Sequence, residues 1–454
     1  MERKIHLVSL GCAKNRVDTE ILLGVSEESG LRVVDDPRAA DVIVVNTCGF
    51  IAPAKRESID AILEMAQWKE TGACRTLVVA GCLVQRYATE LAREIPEVDH
   101  FLGSSDMLSL RDILRGEGER LMVGAPEAFT MRASDPRRLS QRSHSAYVKI
   151  SEGCDRRCSF CAIPGIRGRH RSRPLDDVVR EVERLAGSGV VEVNLVGQDT
   201  VAYGRDLDGR PTLGRLLAAV GDVPGIRWVR IHYLYPERLS DELLEVLAYH
   251  PRVLPYIDMP LQHASDAVLR SMRRGHGGRR VRETIERLRR AIPDPVLRTT
   301  FLVGHPGETE ADFEELLELV RWAELDHVGV FVYSPEEGTP AESMRPRVPA
   351  RLARARRRRL LEEQRPISRA KQEARVGTEI EVLVDGVDSE TDLLLEGRWW
   401  GQAPEVDGVV HLANGTAQPG EIRRAVVTAA SDYELVADLL DACGRRDSPL
   451  LEPA

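Results

Sequence analysis

Three cysteines near the middle of the sequence, Cys154, Cys158 and Cys161, stand in the run SEGCDRRCSFCAIPGIRGRHRSRP with C-x3-C-x2-C spacing. Thiolates at this density suit a cubane iron–sulfur cluster, which needs four ligands to be held entirely by protein. Three leave one iron open to bind a small ligand directly, whereas a closed four-cysteine site serves structure or electron transfer. Zinc is the competing occupant. Structural zinc takes four tetrahedral ligands, commonly in paired arms, and no second arm follows Cys161 at the usual spacing. His170 is the only nearby candidate for a fourth ligand.

Three further cysteines are far apart in sequence but alike in placement: Cys12 closes LVSLGC, Cys48 closes VIVVNTC and Cys82 closes LVVAGC. These short β-branched runs alternate with amphipathic stretches over Asp18 to Ser29, Lys55 to Trp68 and Gln85 to Glu94. The pattern is βαβαβα, with the runs as strands of a parallel sheet buried on both faces. Ligands of open α/β sheets bind at the carboxyl edge, so three thiols at three strand ends can converge on one site. Any one of them alone is equally a small buried hydrophobe. Cys74, just before its strand, and Cys443, near the C-terminus, join neither pattern and are read as structural or incidental.

From Tyr147 the alternation resumes through AYVKIS, VVEVNLVG, RWVRIHYLY, PYIDMPLQ, VLRTTFLVG and HVGVFVYS, separated by helical stretches such as Leu175 to Ala186. Six units of about 30 to 45 residues fit right-handed βα units in a full or partial TIM-like barrel, whose active groups lie at strand C-terminal ends. Gln198 and Asp199 follow one strand end, where they face a cofactor or substrate, or where Asp199 caps a helix. Gly304 to Glu308 follows another and is either a cofactor-positioning backbone or simply a turn. Arg156, Arg157, Arg167, Arg169, Arg171 and Arg173 surround the central thiols, where positive charge can stabilise an anionic cluster. A solvated basic loop explains them almost as well.

Residues Met131 to Arg142 mix Pro, Ser and charge without periodicity, as a linker does. Ala350 to Arg375 is an Arg-rich helical stretch with a solvated face as its default reading. Beyond it, EIEVLVDG, DLLLEGRWW, VVHLA and RRAVVTAA with turns NGT and QPGE predict a small antiparallel β-barrel. Of Trp399 and Trp400, adjacent on one strand, one is expected in the core and the other as an interface anchor.

The chain has 454 residues, 43% hydrophobic and 30% charged, enough for two or three cores and too ordered in composition for global disorder. No apolar run approaches a membrane span and the start lacks a signal-peptide layout, so a cytoplasmic protein without a membrane partner is expected. Cysteines in a reducing compartment favour metal binding or catalysis over disulfides. The net charge of −9 conceals 57 Arg against 6 Lys, a compositional bias that discourages inferring nucleic-acid binding from arginine alone. Residues 377 to 441 hold 14 acidic and three basic side chains. Such a balance repels RNA phosphate and favours a basic protein partner.

The central array after the first barrel strand resembles the radical S-adenosylmethionine superfamily. Together SLGCAKNRVDTE, NTCGFI, GCLVQRY, EGCDRRCSFCAIP, RGRHRSRP, VGQDT, PLQH and YSPEEGTPA resemble its methylthiotransferases from end to end, and most of all those acting on ribosomal protein S-twelve. Ala13 replaces a common proline and His305 a more usual aromatic residue. The resemblance implies an α/β protein divided into an N-terminal parallel α/β domain (1–120), a linker (121–139), a radical SAM core in a partial TIM-like barrel (140–372) and a small antiparallel β-barrel, the TRAM domain (373–442). It implies two [4Fe-4S] clusters, one on Cys154, Cys158 and Cys161 that also binds S-adenosylmethionine, the other on Cys12, Cys48 and Cys82 carrying the incoming sulfur. The implied reaction is methylthiolation of the β-carbon of an aspartate in ribosomal protein S-twelve, using two S-adenosylmethionine molecules, a sulfur donor and an electron donor. Catalytic residues beyond the cluster ligands are unknown. A tRNA adenosine methylthiotransferase carries the same clusters and is the alternative; the acidic barrel argues against tRNA.

Overall fold

The opening β-branched runs form a parallel six-stranded sheet in the computed structural model, which describes residues 2–388 and 391–440. In spatial order the strands are Arg32–Val33, Lys4–Ser9, Val42–Thr47, Thr76–Gly81, His100–Leu102 and Leu121–Met122. The three expected strands are present; the other three are only two or three residues long, too short to show a pattern. Val42 and Val44 enter the hydrophobic cluster on one face while Ile43 and Val45 enter that on the other, as the two-residue repeat of a strand requires. Helices Ala13–Glu28, Ala52–Ala66 and Cys82–Glu94 begin three to five residues before the amphipathic stretches that betrayed them. The first turns of Ala13–Glu28 and Ala52–Ala66 hold Lys, Asn and Pro rather than an apolar stripe. Ala13 is the first residue of its helix, a position that proline also fits.

The six central strands are Ser145–Lys149, Glu192–Val196, Trp228–Ile231, Tyr256–Asp258, Val296–Val303 and His327–Val332. The first three pair in parallel, as do the last three, and a bridge between Val229 and Val253 joins the halves. The result is a partial barrel with Ser145–Lys149 and His327–Val332 at its open edges. Val148, Leu195, Ile231 and Ile257 pack with Val178, Leu216, Leu244, Leu288 and Leu316 of the surrounding helices in one continuous core.

The stretch around Met131 is packed against both neighbouring domains at some of its residues and exposed at others. Met131 and Ala133 are buried, and Arg137 bonds Glu20 of the first helix at 2.6 Å, Tyr147 O at 2.5 Å and also Glu181 of the partial barrel. Helix Ala350–Glu373 is solvated on one face only. Its buried stripe, Ala353, Arg356, Leu360, Gln364, Ser368 and Gln372, is mostly polar, which hides it from a hydrophobic reading. Gln364 donates to Leu325 O at 2.7 Å and Ser368 to Asp432 O at 2.7 Å.

The C-terminal strands Glu379–Val387, Leu395–Trp399, Val410–Asn414, Ile422–Ala430 and Leu435–Leu439 close a five-stranded barrel. Its pairings are antiparallel except Val410–Asn414 with Leu435–Leu439, which is parallel; that fifth strand was not foreseen. The barrel packs on the amino ends of the central strands, where Trp228, Tyr256 and Val296 join Val382, Leu383 and Trp399 in one cluster. Trp399 is buried, and Trp400 is half-buried edge-on against it at 4.7 Å rather than free as an anchor.

Part of this barrel's acidic excess is paired with the rest of the chain, while Glu379, Glu381, Asp392, Glu421 and Glu434 stay exposed. Asp385 bonds Arg142 and His144, Glu396 bonds Arg142, Glu405 bonds Arg16, and Asp407 bonds Arg298, so these carboxylates are spent on the rest of the chain. Arg398, 1% exposed, is held by Glu192 at 2.8 Å and Asp385 at 2.7 Å, and Arg230 reaches the same Glu192 at 3.3 Å. Burial would raise the Glu192 carboxyl, but the two guanidiniums hold it well below the usual range. Stability from this pairing is therefore present above about pH 4.3, the ordinary glutamate value, and is lost as pH falls below it. Arg398→Met is expected to cost about 3 kcal/mol at pH 7 by removing the buried guanidinium shared by Glu192 and Asp385, which keep only Arg230 and Arg142 with His144. Urea unfolding followed by tryptophan fluorescence should show that penalty shrinking as the pH is lowered through 4; a pH-independent penalty would contradict the pairing.

Candidate active site

Strand order in the N-terminal sheet reverses between Lys4–Ser9 and Val42–Thr47, which opens a crevice at their carboxyl ends. Cys12 and Cys48 flank it, and Cys82 follows the next strand. Gly11, at φ +98°, brings its loop so close that a Cβ would lie 2.9 Å from Cys48 Cβ. A Cβ on Gly49 would lie 2.7 Å from Cys82 O, so all three loops are in contact. Asn15 ties them further, donating to Leu10 O at 2.6 Å and Thr47 O at 3.2 Å, while Ser58 donates to Cys48 O at 3.0 Å.

Two of these thiols stand at helix N-termini, Cys12 as the cap of Ala13–Glu28 and Cys82 as the first residue of Cys82–Glu94, where the helix dipole favours negative sulfur. Desolvation alone would raise the Cys12 thiol, but Lys14, the backbone N–H groups of Asn15 and Lys14, and Arg167 outweigh it, so its pKa falls below the ordinary value. Burial pushes Cys48 up to about 12, with the charges of Cys82 and Cys12 adding to the rise. Cys82 is also raised by burial, against the opposing pull of Arg167.

The central trio lies in the loop after Ser151–Glu152. Cys161 N–H donates to Cys158 O at 3.2 Å, Cys154 N–H to Gly168 O at 3.1 Å, and Ser159 N–H to Met272 O at 3.0 Å, which fixes the loop at both ends. Arg156 N–H donates to Cys154 Sγ at 3.4 Å, and Arg274 Nη1 to Cys158 Sγ at 3.5 Å. Burial pushes Cys154 up to about 11 and Cys161 up to about 12, each helped by its sister thiols. Loading a metal centre here must release those protons.

Helix Ile163–Arg167 leads directly from the central trio to the other one. At about 1.5 Å per residue it is about 7 to 8 Å long. Arg167, buried, donates from Nη2 to Cys82 Sγ at 3.1 Å and Asn15 Oδ1 at 3.2 Å and pairs with Asp18 at 2.8 Å. Lys149 joins Asp18 at 2.5 Å to Glu152 at 2.7 Å, and with Arg167 it holds Glu152 down at about 2 despite burial.

The arginines that surround the central thiols in sequence thus separate in space. Arg156 pairs with Asp199 at 2.6 Å and Glu237 at 3.2 Å; Arg167 serves the other trio; Arg173 is buried between Asp177 and Glu181; Arg157 and Arg169 are exposed. Arg171 donates to Arg169 O at 2.7 Å and to Pro126 O at 3.0 Å. Asp199 does not cap a helix with its side chain. Its Oδ1, with Gln198 Oε1 and Arg156 Nη2, is buried without a partner among the described residues.

Gly304 to Glu308 is a turn closed by its own carboxylate. Glu308 accepts from the Gly304 and His305 N–H groups and pairs with Arg356 at 2.9 Å, yet burial raises it to about 7. His305 is fully buried, with Nε2 3.3 Å from Ser159 Oγ and its ring 5.6 Å from that of Tyr333. His170 Nε2 meets Ser172 Oγ at 3.0 Å and Asp206 at 3.8 Å. Cys74 is buried in the N-terminal core, and Cys443 lies outside the described residues.

Three site residues escaped sequence reasoning. Arg274 and Arg156 both stack on Tyr235, at 4.1 Å and 3.6 Å from its ring centroid. Lys14 Nζ sits 3.4 Å above the Tyr233 ring, joining the Cys12 loop to the partial barrel. Glu336 is buried among groups of the N-terminal sheet. Arg274 stands in an unremarkable arginine-rich run, so no signal marks it.

Among the described residues no three or more His, Cys, Asp or Glu side chains converge to hold a metal ion. The thiols of each trio nevertheless feel one another electrostatically. An all-thiol donor set, compensated by Arg167 and Lys14 in one place and Arg274 in the other, has the chemistry of an iron–sulfur site. The unpartnered polar atoms of Arg156, Gln198 and Asp199 fit a polar cofactor beside the central trio.

Fold and thiol array together define a radical S-adenosylmethionine protein, and residues 148–320 match the model of the Radical SAM superfamily. Residues 4–103 match a family described as uncharacterized, UPF0004, and residues 376–440 match the TRAM domain. In solved structures the fold is similar to that of the radical S-adenosylmethionine methyltransferase TsrM from Kitasatospora setae, with TM-score 0.55 and 16% identity over 80% of this chain and 89% of that one. The ribosomal protein uS12 methylthiotransferase RimO of Sorangium cellulosum is 60% identical over 97% of this chain and 91% of its own. Those of Anaeromyxobacter sp. (strain K) and Myxococcus xanthus are 51% and 48% identical, over 96% and 97% of this chain and 93% and 92% of theirs. The chain belongs to the ribosomal protein uS12 methylthiotransferase family.

Proposed function

We infer that this protein is a radical S-adenosylmethionine methylthiotransferase that modifies the β-carbon of an aspartate in ribosomal protein S12. The observation that carries this is 60% identity, spanning nearly the whole of both chains, to a relative of that name. A β-carbon hydrogen is far too weakly acidic for a side-chain base whose useful pKa lies near the working pH, so hydrogen-atom abstraction suits the substrate. Two S-adenosylmethionine molecules, a sulfur donor and an external electron donor complete the reaction. The site of action is the cytoplasm; among the described residues no helix is long and apolar enough to cross a membrane.

Cys154, Cys158 and Cys161 hold one [4Fe-4S] cluster and Cys12, Cys48 and Cys82 a second. When bound, the first supplies reductive cleavage of S-adenosylmethionine and the second carries the sulfur to be transferred. The chain's own part is charge, orientation and exclusion of water. Arg274 bonds the sulfur of Cys158 and Arg167 that of Cys82, opposing the negative charge of thiolate-bound iron. Arg156, stacked on Tyr235 and bonded to Asp199, leaves a guanidinium nitrogen free for a polar cofactor group. Helix Ala13–Glu28 lies along the edge strand Ser145–Lys149, with Asp18 paired to Lys149, and so closes that side of the open sheet.

Mass analysis of S12 and of tRNA after incubation with the reconstituted protein tests the assignment. A methylthio increment on a single S12 aspartate is expected. An increment on tRNA adenosine with none on S12 would overturn it.

A further inference from the structure

The segment that follows the edge strand His327–Val332 bonds the elements that carry both thiol trios. At one end the Glu336 side chain, 1% exposed, accepts from Ala52 N–H at 2.8 Å, Lys55 Nζ at 2.8 Å and Arg86 Nη1 at 3.1 Å. Ala52 and Lys55 lie in the first turn of the helix that follows Cys48. Arg86 stands one helical turn beyond Cys82 and also donates to Gly49 O, beside Cys48, at 2.8 Å. At the other end Ala341 N–H donates to Ser159 O at 2.8 Å, between Cys158 and Cys161. The backbone between is closed on itself, with Thr339 donating from N and Oγ1 to Glu336 O at 3.1 Å and 2.7 Å.

The partial barrel is open, and the N-terminal sheet meets both of its edges. Asp18 with Lys149 and Arg137 with Glu20 fix it at the Ser145–Lys149 edge. Glu336 supplies the charged anchor at the other. Truncating it leaves the nearly buried Arg86 and the partly buried Lys55 without their shared carboxylate. Its side chain bonds the helices behind Cys48 and Cys82 and no residue of the central loop, so its loss acts on how the trios face each other. Reaction geometry is sensitive to displacements of about 1 Å, which cost about 100-fold.

We propose that Glu336 is a positioning residue that fixes the spacing of the two thiol trios and thereby the fraction of cofactor cleavage that ends in methylthiolated product. This rests on the activity inferred above. Full-length E336A and E336Q, reconstituted anaerobically beside the wild type, are compared for 5′-deoxyadenosine formed per methylthiolated S12 peptide and for iron content. Hydrogen exchange of the Ala52 amide is followed in the same chains without cofactor. The ratio should rise about tenfold in E336A and by less in E336Q, while iron content and peptide-free cleavage stay within about twofold. Ala52 should exchange faster in both variants. If E336A does not fold, the smaller rise in E336Q carries the test. An unchanged ratio, or equal losses of cleavage and transfer, overturns the proposal. Should the wild type make no methylthiolated peptide, the inferred activity fails instead, and unchanged Ala52 exchange would still overturn the positioning role of Glu336.

Discussion

Cys158→Ala is expected to abolish 5′-deoxyadenosine formation while leaving the Cys12, Cys48 and Cys82 centre visible by absorption and electron paramagnetic resonance. Removing an outer partner of a metal ligand costs about 10 to 100-fold, so losing the ligand itself sets a floor of about 100-fold. Cys158 is buried in a loop fixed by Ser159 N–H to Met272 O at 3.0 Å, and its sulfur is the one that Arg274 bonds. The other trio hangs from a separate sheet with hydrophobic clusters on both of its faces, Val44 and Val78 in one, Ile43 and Val79 in the other. Nothing in that packing depends on Cys158. Loss of both spectral signals in the variant would contradict this independence.

Cys48→Ala should give the opposite pattern: cofactor cleavage within about twofold of wild type, and methylthio transfer reduced by about 100-fold or more. The substitution removes one sulfur from a position that Gly11 already crowds, so it introduces no clash, and Val42–Thr47 remains buried along its whole length. Product analysis by mass spectrometry, with 5′-deoxyadenosine measured in the same samples, separates the two steps. Continued methylthiolation in this variant would remove the N-terminal thiols from the reaction.

The placement of both sets of cysteines was legible in the sequence, for different reasons. Cys154, Cys158 and Cys161 announce themselves by spacing; Cys12, Cys48 and Cys82 do so only because each ends a β-branched run, and strand ends of a parallel sheet share an edge. What holds the trios relative to each other was not legible. Arg167 looks like one of six arginines in a basic loop, and only the fold shows its guanidinium crossing to Cys82. Glu336 and Ala52 are 284 residues apart, and no periodicity links them. The net charge of the C-terminal barrel says less about where its carboxylates lie: composition counts them without showing that Asp385 and Asp407 are buried against arginines elsewhere in the chain. Short strands such as His100–Leu102 were missed because three residues carry no repeat, whereas Val42–Thr47 was plain from its unbroken apolar run.

Mössbauer spectroscopy of the anaerobically reconstituted wild-type chain, with iron, sulfide and zinc analysis, interrogates the metal chemistry without relying on a substrate. Two cubanes are expected, about eight irons per chain, with the spectrum of one altered when S-adenosylmethionine is added. Zinc bound by Cys154, Cys158 and Cys161, or a cubane there indifferent to the sulfonium compound, would contradict the account.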